Sequence, residues 1–196
     1  MERSNIEIKR LEDQDDLVAA YRFVYRKYVR SGYIEPNPLG LRIREGFELG
    51  WCMTTFAAFD GDEIVGTMSL IEDGEFGIPL EVHYPLIVND ARRDGDVCEI
   101  SNMSVSPAAT GGIRILRGLV SSVWQACLER FVRYIFIAVS PKHVEHFSRS
   151  FGFETIGPPL PFPPSDIIQG MMVDSRSERS AEIAGSLIAS WGSSSP

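Results

Sequence analysis

Glu99 is a carboxylate set in an otherwise apolar run, with Ile100, Met103 and Val105 following it inside residues 97–106. Burying a carboxylate is costly without a partner, solvent access or a chemical task, which makes Glu99 a candidate general base. Arg92 or Arg93 could instead satisfy it as a structural glutamate. Just downstream, Gly111 and Gly112 make a turn, and Arg114 and Arg117 fall in the first turn of a helix. First-turn N–H groups have no intrahelical partner, so strand, glycine turn and helix start form a receiver for an anion. Cations there oppose the helix dipole; a nearby anion explains them, and so does plain solvation.

His143 and His146 lie one helical turn apart. They could pair on a metal, but no third ligand stands with them, a solvated face fits better, and no metal is expected. Tyr21, Tyr25 and Tyr28 share one helical face, either as core packing with hydroxyls reaching water or as part of a site. Cys52, Cys98 and Cys127 are odd in number and lack metal-ligand spacing. They point to reduced core thiols in a cytoplasmic protein, with a nucleophilic cysteine as the alternative.

The net charge of -8 over 196 residues argues against nucleic acid or an anionic membrane surface as partner. The charged N-terminus has no apolar core of a signal peptide, and no run is long enough to be a transmembrane segment.

The elements that must position these residues follow from periodicity. A strand is expected over 6–11, a helix over 17–30, a Pro- and Gly-rich loop over 31–50, and a hairpin of strands 51–59 and 63–71. Residues 72–95 are polar and turn-rich, with an apolar island at 84–88. The strand with Glu99 leads to a long helix whose apolar face includes Ile113, Leu116, Leu119, Val123, Trp124, Leu128 and Phe131. A doubly buried strand over 132–139, a short helix over 142–151, a strand over 153–157, a proline-dense loop and a last strand over 167–173 complete the order. This is α/β, an antiparallel meander leading into a parallel strand–helix–strand crossover. Residues 1–175 make one domain, and 176–196 a tail, weakly helical and then disordered. Ile183, Leu187, Ile188 and Trp191 are the reservation, since their spacing could dock on a neighbour.

ISNMSVSP with its glycine turn and helix, followed by FIAVSPKHVEHFSRSFGFETIG, resembles the GNAT acyltransferase superfamily. Met103, Val105 and Pro107 match its strand motif, and Phe147, Gly152 and Phe153 its closing helix motif. Within it, the tyrosine-rich helix running into SGYIEPNP, the TTFAAFDGDEIVGTMSLIED hairpin, CEIS and AVSPKHVEHF are most similar to N-acyl amino acid synthases of the FeeM type. These are relatives of the acyl-homoserine-lactone synthases.

That resemblance implies a GNAT fold, with a mixed, mostly antiparallel central sheet and helices on both faces. It implies transfer of a fatty acyl group from an acyl carrier protein thioester to the amine of an amino acid. No permanent cofactor is implied; acyl-phosphopantetheine or acyl-CoA is the donor. The implied base is Glu99, with Asn102 beside it where homoserine-lactone synthases carry arginine. Ser148 takes the place of the tyrosine that protonates the leaving thiolate. Met103, Ser104, Val105, Gly111, Gly112, Arg114 and Ser140 are implied on the donor side, the backbone near Met103 to polarise the thioester carbonyl. Tyr28, Tyr33, Trp51 and Ser101 are implied on the acceptor side. Thr110, Ile113 and Ile115 replace the residues with which acetyl-CoA users bind pyrophosphate, which favours a carrier protein with its single phosphodiester. Arg114, Arg117, Arg130 and Arg133 are the candidates to dock that acidic partner. An acetyl-CoA-dependent small-molecule N-acetyltransferase and a non-catalytic acyl- or partner-binding module remain the alternatives.

Overall fold

In the computed structural model, which describes residues 6–43, 46–47, 52–163 and 165–192, the alternating run near the N-terminus forms edge strand β1 (Ile6–Arg10). The Asp13 carboxylate accepts from the N–H groups of Asp15 (2.8 Å) and Asp16 (3.2 Å) and so starts α1 (Gln14–Arg30). The antiparallel hairpin is β2 (Met53–Asp60) and β3 (Glu63–Glu72). A 3-10 helix (Pro79–Val82) and α2 (Pro85–Asp94) lead to β4 (Val97–Val105), α3 (Gly112–Glu129) and β5 (Tyr134–Val139). After a 3-10 turn (Pro141–His143) come α4 (Val144–Phe151), β6 (Glu154–Thr155), β7 (Leu160–Phe162), β8 (Ser165–Asp174) and α5 (Glu178–Gly192).

Among the described residues the sheet runs β1-β2-β3-β4-β5-β8-β6, with β7 on β8. Only β4 and β5 pair in parallel, joined by the α3 crossover, as the sequence implied. Strand alternation sends Cys98, Ile100, Ile135 and Ile137 to one face, against Leu119, Val123 and Trp124 of α3 and Phe147 and Phe151 of α4. The other face receives α1 near Ala57 and Phe59, and the Pro79–Val82 turn and α2 near Val97 and Phe136. A Cβ on Gly66 would sit 2.9 Å from Ile115 Cγ2 and 3.1 Å from Leu119 Cδ1, so a bare glycine is what lets α3 lie this close to β3.

Four expectations change. Residues 72–95 contain a full helix, α2, whose buried side chains Val88 and Ala91 are too few to give a period; its signals were Pro85 at the first turn and Arg92 and Arg93 in the last. The proline-dense loop contains β7, which tolerates Pro161 because it pairs on one side only, with β8. Ile113, Leu128 and Phe131 are exposed, so the buried face of α3 is narrower than its apolar spacing. The helix expected in the tail is α5, and it packs against α3 and α4, with Ala184 and Leu187 in the core and Ile183 packed on it, as the apolar spacing allowed; what changes is that it joins the domain. Residues 193–196 and the side chains of Ile188 and Trp191 lie outside what is described.

Candidate active site

The site begins where β4 and β5 part. Their ladder runs from Val97 opposite Tyr134 to Ile100 opposite Ile137 and stops there, while β4 keeps its pairing with β3 as far as Val105. Between Ser69 opposite Ser101 and Thr67 opposite Ser104, two residues of β4 face one of β3, a bulge that puts Asn102 at φ 49°. Asparagine tolerates this left-handed conformation better than most residues. Thr67 Oγ1 donates to the Asn102 carbonyl at 3.0 Å and holds the bulge.

A cavity of about 200 Å³ opens in the split, bringing together Glu99, Ser101, Asn102 and Met103 of β4, Ser140 beyond β5, and Tyr28 and Tyr33. Ile137, Val139, Phe147, Phe162 and Ile168 give it an apolar wall. Asn102 lines the cavity, is 2 % exposed, and its buried Oδ1 has no hydrogen-bond partner.

Glu99 is also 2 % exposed. Its Oε2 accepts from the Leu80 N–H at 2.5 Å, so the carboxylate sits at the start of the Pro79–Val82 turn. The two arginines that could have satisfied it directly are engaged with other residues. Arg92 bridges Asp73 (2.6 Å), Glu81 (2.6 Å) and Asn89 (2.6 Å), and Arg93 pairs with Asp90 (2.8 Å). Through Glu81, Arg92 ties down the turn that presents Leu80, a positioning role once removed from the carboxylate. The Arg92 guanidinium, in turn, holds the Glu81 carboxyl below its ordinary range.

Of the tyrosine stripe, Tyr28 reaches the cavity. Tyr28 donates to the Met103 carbonyl at 3.3 Å and meets Tyr33 edge-on at 5.6 Å between ring centroids. Tyr25 Oη accepts from Asn37 N (3.1 Å) and donates to its carbonyl (3.2 Å), Asn37 Nδ2 donates to Leu41 O (3.0 Å), and Arg42 N donates to Tyr21 O (3.1 Å). The segment after α1 is thereby pinned along the helix, and Arg42 reaches the cavity wall.

Other candidates lie elsewhere. Ser148 is half-buried on α4, its carbonyl accepting from Arg179 (2.9 Å), and does not line the cavity. Ser104 and Val105 continue β4 past the cavity. Gly111 caps α3 at φ 78°, and Gly112 and an exposed Arg114 open that helix outside the cavity. Trp51 lies outside the described residues. Cys98 faces the core on the side of β4 away from Glu99, 3.7 Å from Cys127, and burial pushes its thiol well up, which suits a core thiol and not a nucleophile.

The expected basic surface divides. Arg130 pairs with Glu72 (2.9 Å) and Arg133 with Asp94 (2.9 Å), both beyond the far end of α3. At 1.5 Å per residue, the 18 residues of α3 put them roughly 27 Å from its N-terminus. Near the turn before α3, Arg114 and Arg117 of α3 itself are joined by cations from α1. Arg26, Lys27 and Arg30 line a groove with Ser106, where Lys27 Nζ lies 3.5 Å from Ser106 Oγ. Burial, then Arg30 and Arg26, lower the Lys27 pKa, while Asp16, Asp62 and Glu63 occupy the other rim.

Two ionisable cavity residues went unmarked in the sequence as part of a site, Arg42 and His143. Arg42 stands in a loop without periodicity; His143 was legible only as half of a histidine pair. Burial, then Lys142 and His146, lower the His143 pKa, which favours the neutral imidazole. Among the described residues no cluster of three His, Cys, Asp or Glu could hold a metal ion, and no helix is long and apolar enough to cross a membrane.

Comparison with known proteins agrees with this geometry. The family described as N-acyl amino acid synthase FeeM matches residues 19–174. The solved structure of FeeM, an N-acyl amino acid synthase from uncultured soil microbes, superposes with a TM-score of 0.78 at 24% identity, covering 90% of this chain and 93% of that one. BjaI, a CoA-dependent acyl-homoserine lactone synthase, gives 0.70 at 14% identity over 93% and 90%. An acyl-CoA N-acyltransferase from Pseudomonas aeruginosa gives 0.60 at 15% over 86% and 97%. These likenesses are of fold, the GNAT-like acyltransferase fold. No curated protein sequence matches the chain.

Proposed function

Because the chain belongs to the N-acyl amino acid synthase FeeM family, and is therefore an N-acyltransferase, we propose that it moves a fatty acyl group from an acyl carrier protein thioester to the α-amine of an amino acid. The observation that carries this reading is the buried Glu99 carboxylate sharing one cavity with the strand edge that β4 exposes where it leaves β5.

The acyl-phosphopantetheine enters that split, and its thioester carbonyl takes hydrogen bonds from the open backbone edge near Met103. An amino acid arrives as an ammonium ion, and Glu99 removes one proton to free the lone pair. Asn102 Oδ1 accepts a second N–H and so aims the lone pair at the carbonyl carbon. The C–N bond forms, the C–S bond breaks, and one of the two remaining ammonium-derived protons leaves toward the thiolate while the other stays as the amide N–H. A thiol pKa of about 8.5 makes that protonation undemanding. Ser148 does not line the cavity; His143 does, and as a neutral imidazole it suits a relay that takes the proton leaving the nitrogen and passes one to the thiolate, directly or through water.

Gly111, Gly112 and Arg114 suit the single phosphodiester of the carrier's arm, and Arg26, Lys27 and Arg30 replace Arg130 and Arg133 in the docking surface. Acyl-CoA is the competing donor, since BjaI of similar fold is described as CoA-dependent. The test is incubation with long-chain acyl carrier protein or the matching acyl-CoA and a mixture of amino acids, read by mass spectrometry. An N-acyl amino acid formed with clear preference for the carrier protein is expected; equal efficiency with acyl-CoA would reassign the donor.

A further inference from the structure

We infer that Arg42 binds the α-carboxylate of the acceptor, so that the cavity grips both charged ends of a zwitterion. The inference rests on the reading that the acceptor is an amino acid. It adds the group that would make a free carboxylate a requirement.

Among the described residues lining the cavity, Arg42 is the one with a permanent positive charge and Glu99 the one with a carboxyl group. An amino acid carries an anion two bonds from its amine nitrogen, across the α-carbon. A cavity that holds the ammonium at Glu99 must therefore meet a negative charge a few ångströms away. Guanidinium and carboxylate match as parallel donor and acceptor pairs, and such charge-assisted pairs are stronger than neutral hydrogen bonds.

Placement also sorts the anions present. The donor's phosphate has its own receiver at the α3 N-terminus, and Gly111, Gly112 and Arg114 are absent from the cavity lining. Arg42 lines the cavity together with Tyr28 and Tyr33, the tyrosines that the family resemblance puts on the acceptor side. Its backbone is held by the Tyr21 carbonyl at 3.1 Å, and the segment before it by Tyr25 and Asn37. The guanidinium is thus carried on an anchored support, as a recognition residue must be. Residues 31–43 form a loop without regular structure that three tyrosines of α1 nevertheless fix. Delivery of Arg42 to the cavity is the purpose this assigns to that anchoring.

The experiment compares an accepted L-amino acid with its carboxamide, which keeps the amine and side chain but lacks the anion. Wild-type enzyme is expected to prefer the acid, and Arg42→Gln to lose about 10–100-fold in kcat/KM on the acid, mostly through KM, with little change on the amide. Arg42→Lys, which keeps charge without the fork, should fall between. If Arg42 only braces the loop, Gln will depress acid and amide alike, and the inference fails; it fails equally if neither rate changes. Should Arg42→Gln not fold, the wild-type protein still decides. Its melting temperature should rise more with the N-acyl amino acid than with the matching N-acyl amide, and equal shifts would refute a carboxylate contact. A wild type that acylates no amino acid would overturn the underlying reading itself, a result distinct from loss of discrimination between acid and amide.

Discussion

The two faces of β4 are made by neighbouring residues and do opposite work. Cys98 and Ile100 belong to the large apolar cluster under α3, Ile100 also touching the cavity, while Glu99, Ser101 and Asn102 give the cavity its polar lining. Both sets are almost wholly out of water. The apolar face gains stability from burial, whereas the polar face gains nothing comparable, because desolvating Glu99 and leaving Asn102 Oδ1 open both cost free energy. Under the proposed function, a strand that keeps such residues buried trades stability for chemistry. The two faces should therefore answer to mutation in different measurements.

The largest expected effect is on turnover at the polar face. Glu99→Gln retains shape and can still accept a hydrogen bond from Leu80, so folding should survive. Turnover should drop roughly 10²–10⁴-fold, the usual contribution of a positioned base. On the apolar face, Leu119→Ala should do the reverse. Leu119 is fully buried against β3, and its truncation should cost about 2–5 kcal/mol in denaturant unfolding while activity per folded molecule stays near wild type. If Leu119→Ala instead lowered activity of the folded fraction as Glu99→Gln does, the separation of the faces would be broken.

Removal of α5 sharpens the same contrast from a distance. A chain ending after Ser177 loses Ala184 and Leu187 from the apolar cluster, together with the Arg179 bond to Ser148, yet no cavity residue. Burial of Leu187 alone is worth about 1.5–3 kcal/mol, so the truncated protein should melt well below the full chain and keep its acceptor preference. The smallest effect is expected at the α1 groove. Charge reversal at Arg26 or Arg30 should slow association with an acidic carrier protein several-fold at low salt, and less at high salt, with kcat unchanged. Unaltered kinetics at every ionic strength would remove α1 from the docking surface.

How far the sequence carried can be told from particular residues. The β2–β3 hairpin was legible from its Asp60-Gly61-Asp62 turn between β-rich runs, β5 from a continuous apolar run, and α3 from a period of 3.6 over many residues. Helix α2 buries two side chains and α5 breaks its pattern with serines and Gly185, so neither gave a strong period. Glu99 was legible as a charge out of place in a strand, and Tyr28 as one of a stripe. Ser148 was misplaced by alignment to a motif. A residue one step along a helix points about 100° away, and it is its neighbour Phe147 that reaches the cavity. Arg42 comes from an irregular segment whose path depends on Tyr21 and Asn37, contacts no local pattern encodes.

The central claim is that Glu99 removes the acceptor's proton. Turnover against pH for wild type and Glu99→Gln, each normalised to folded fraction, tests it most directly. With Glu99 as base, the mutant should be most impaired near neutral pH and recover partly as pH rises, because more of the amine is then neutral without help. Two parallel profiles of near-equal height would contradict it, leaving Glu99 as a cap for the Pro79–Val82 turn and the amine's proton to bulk water.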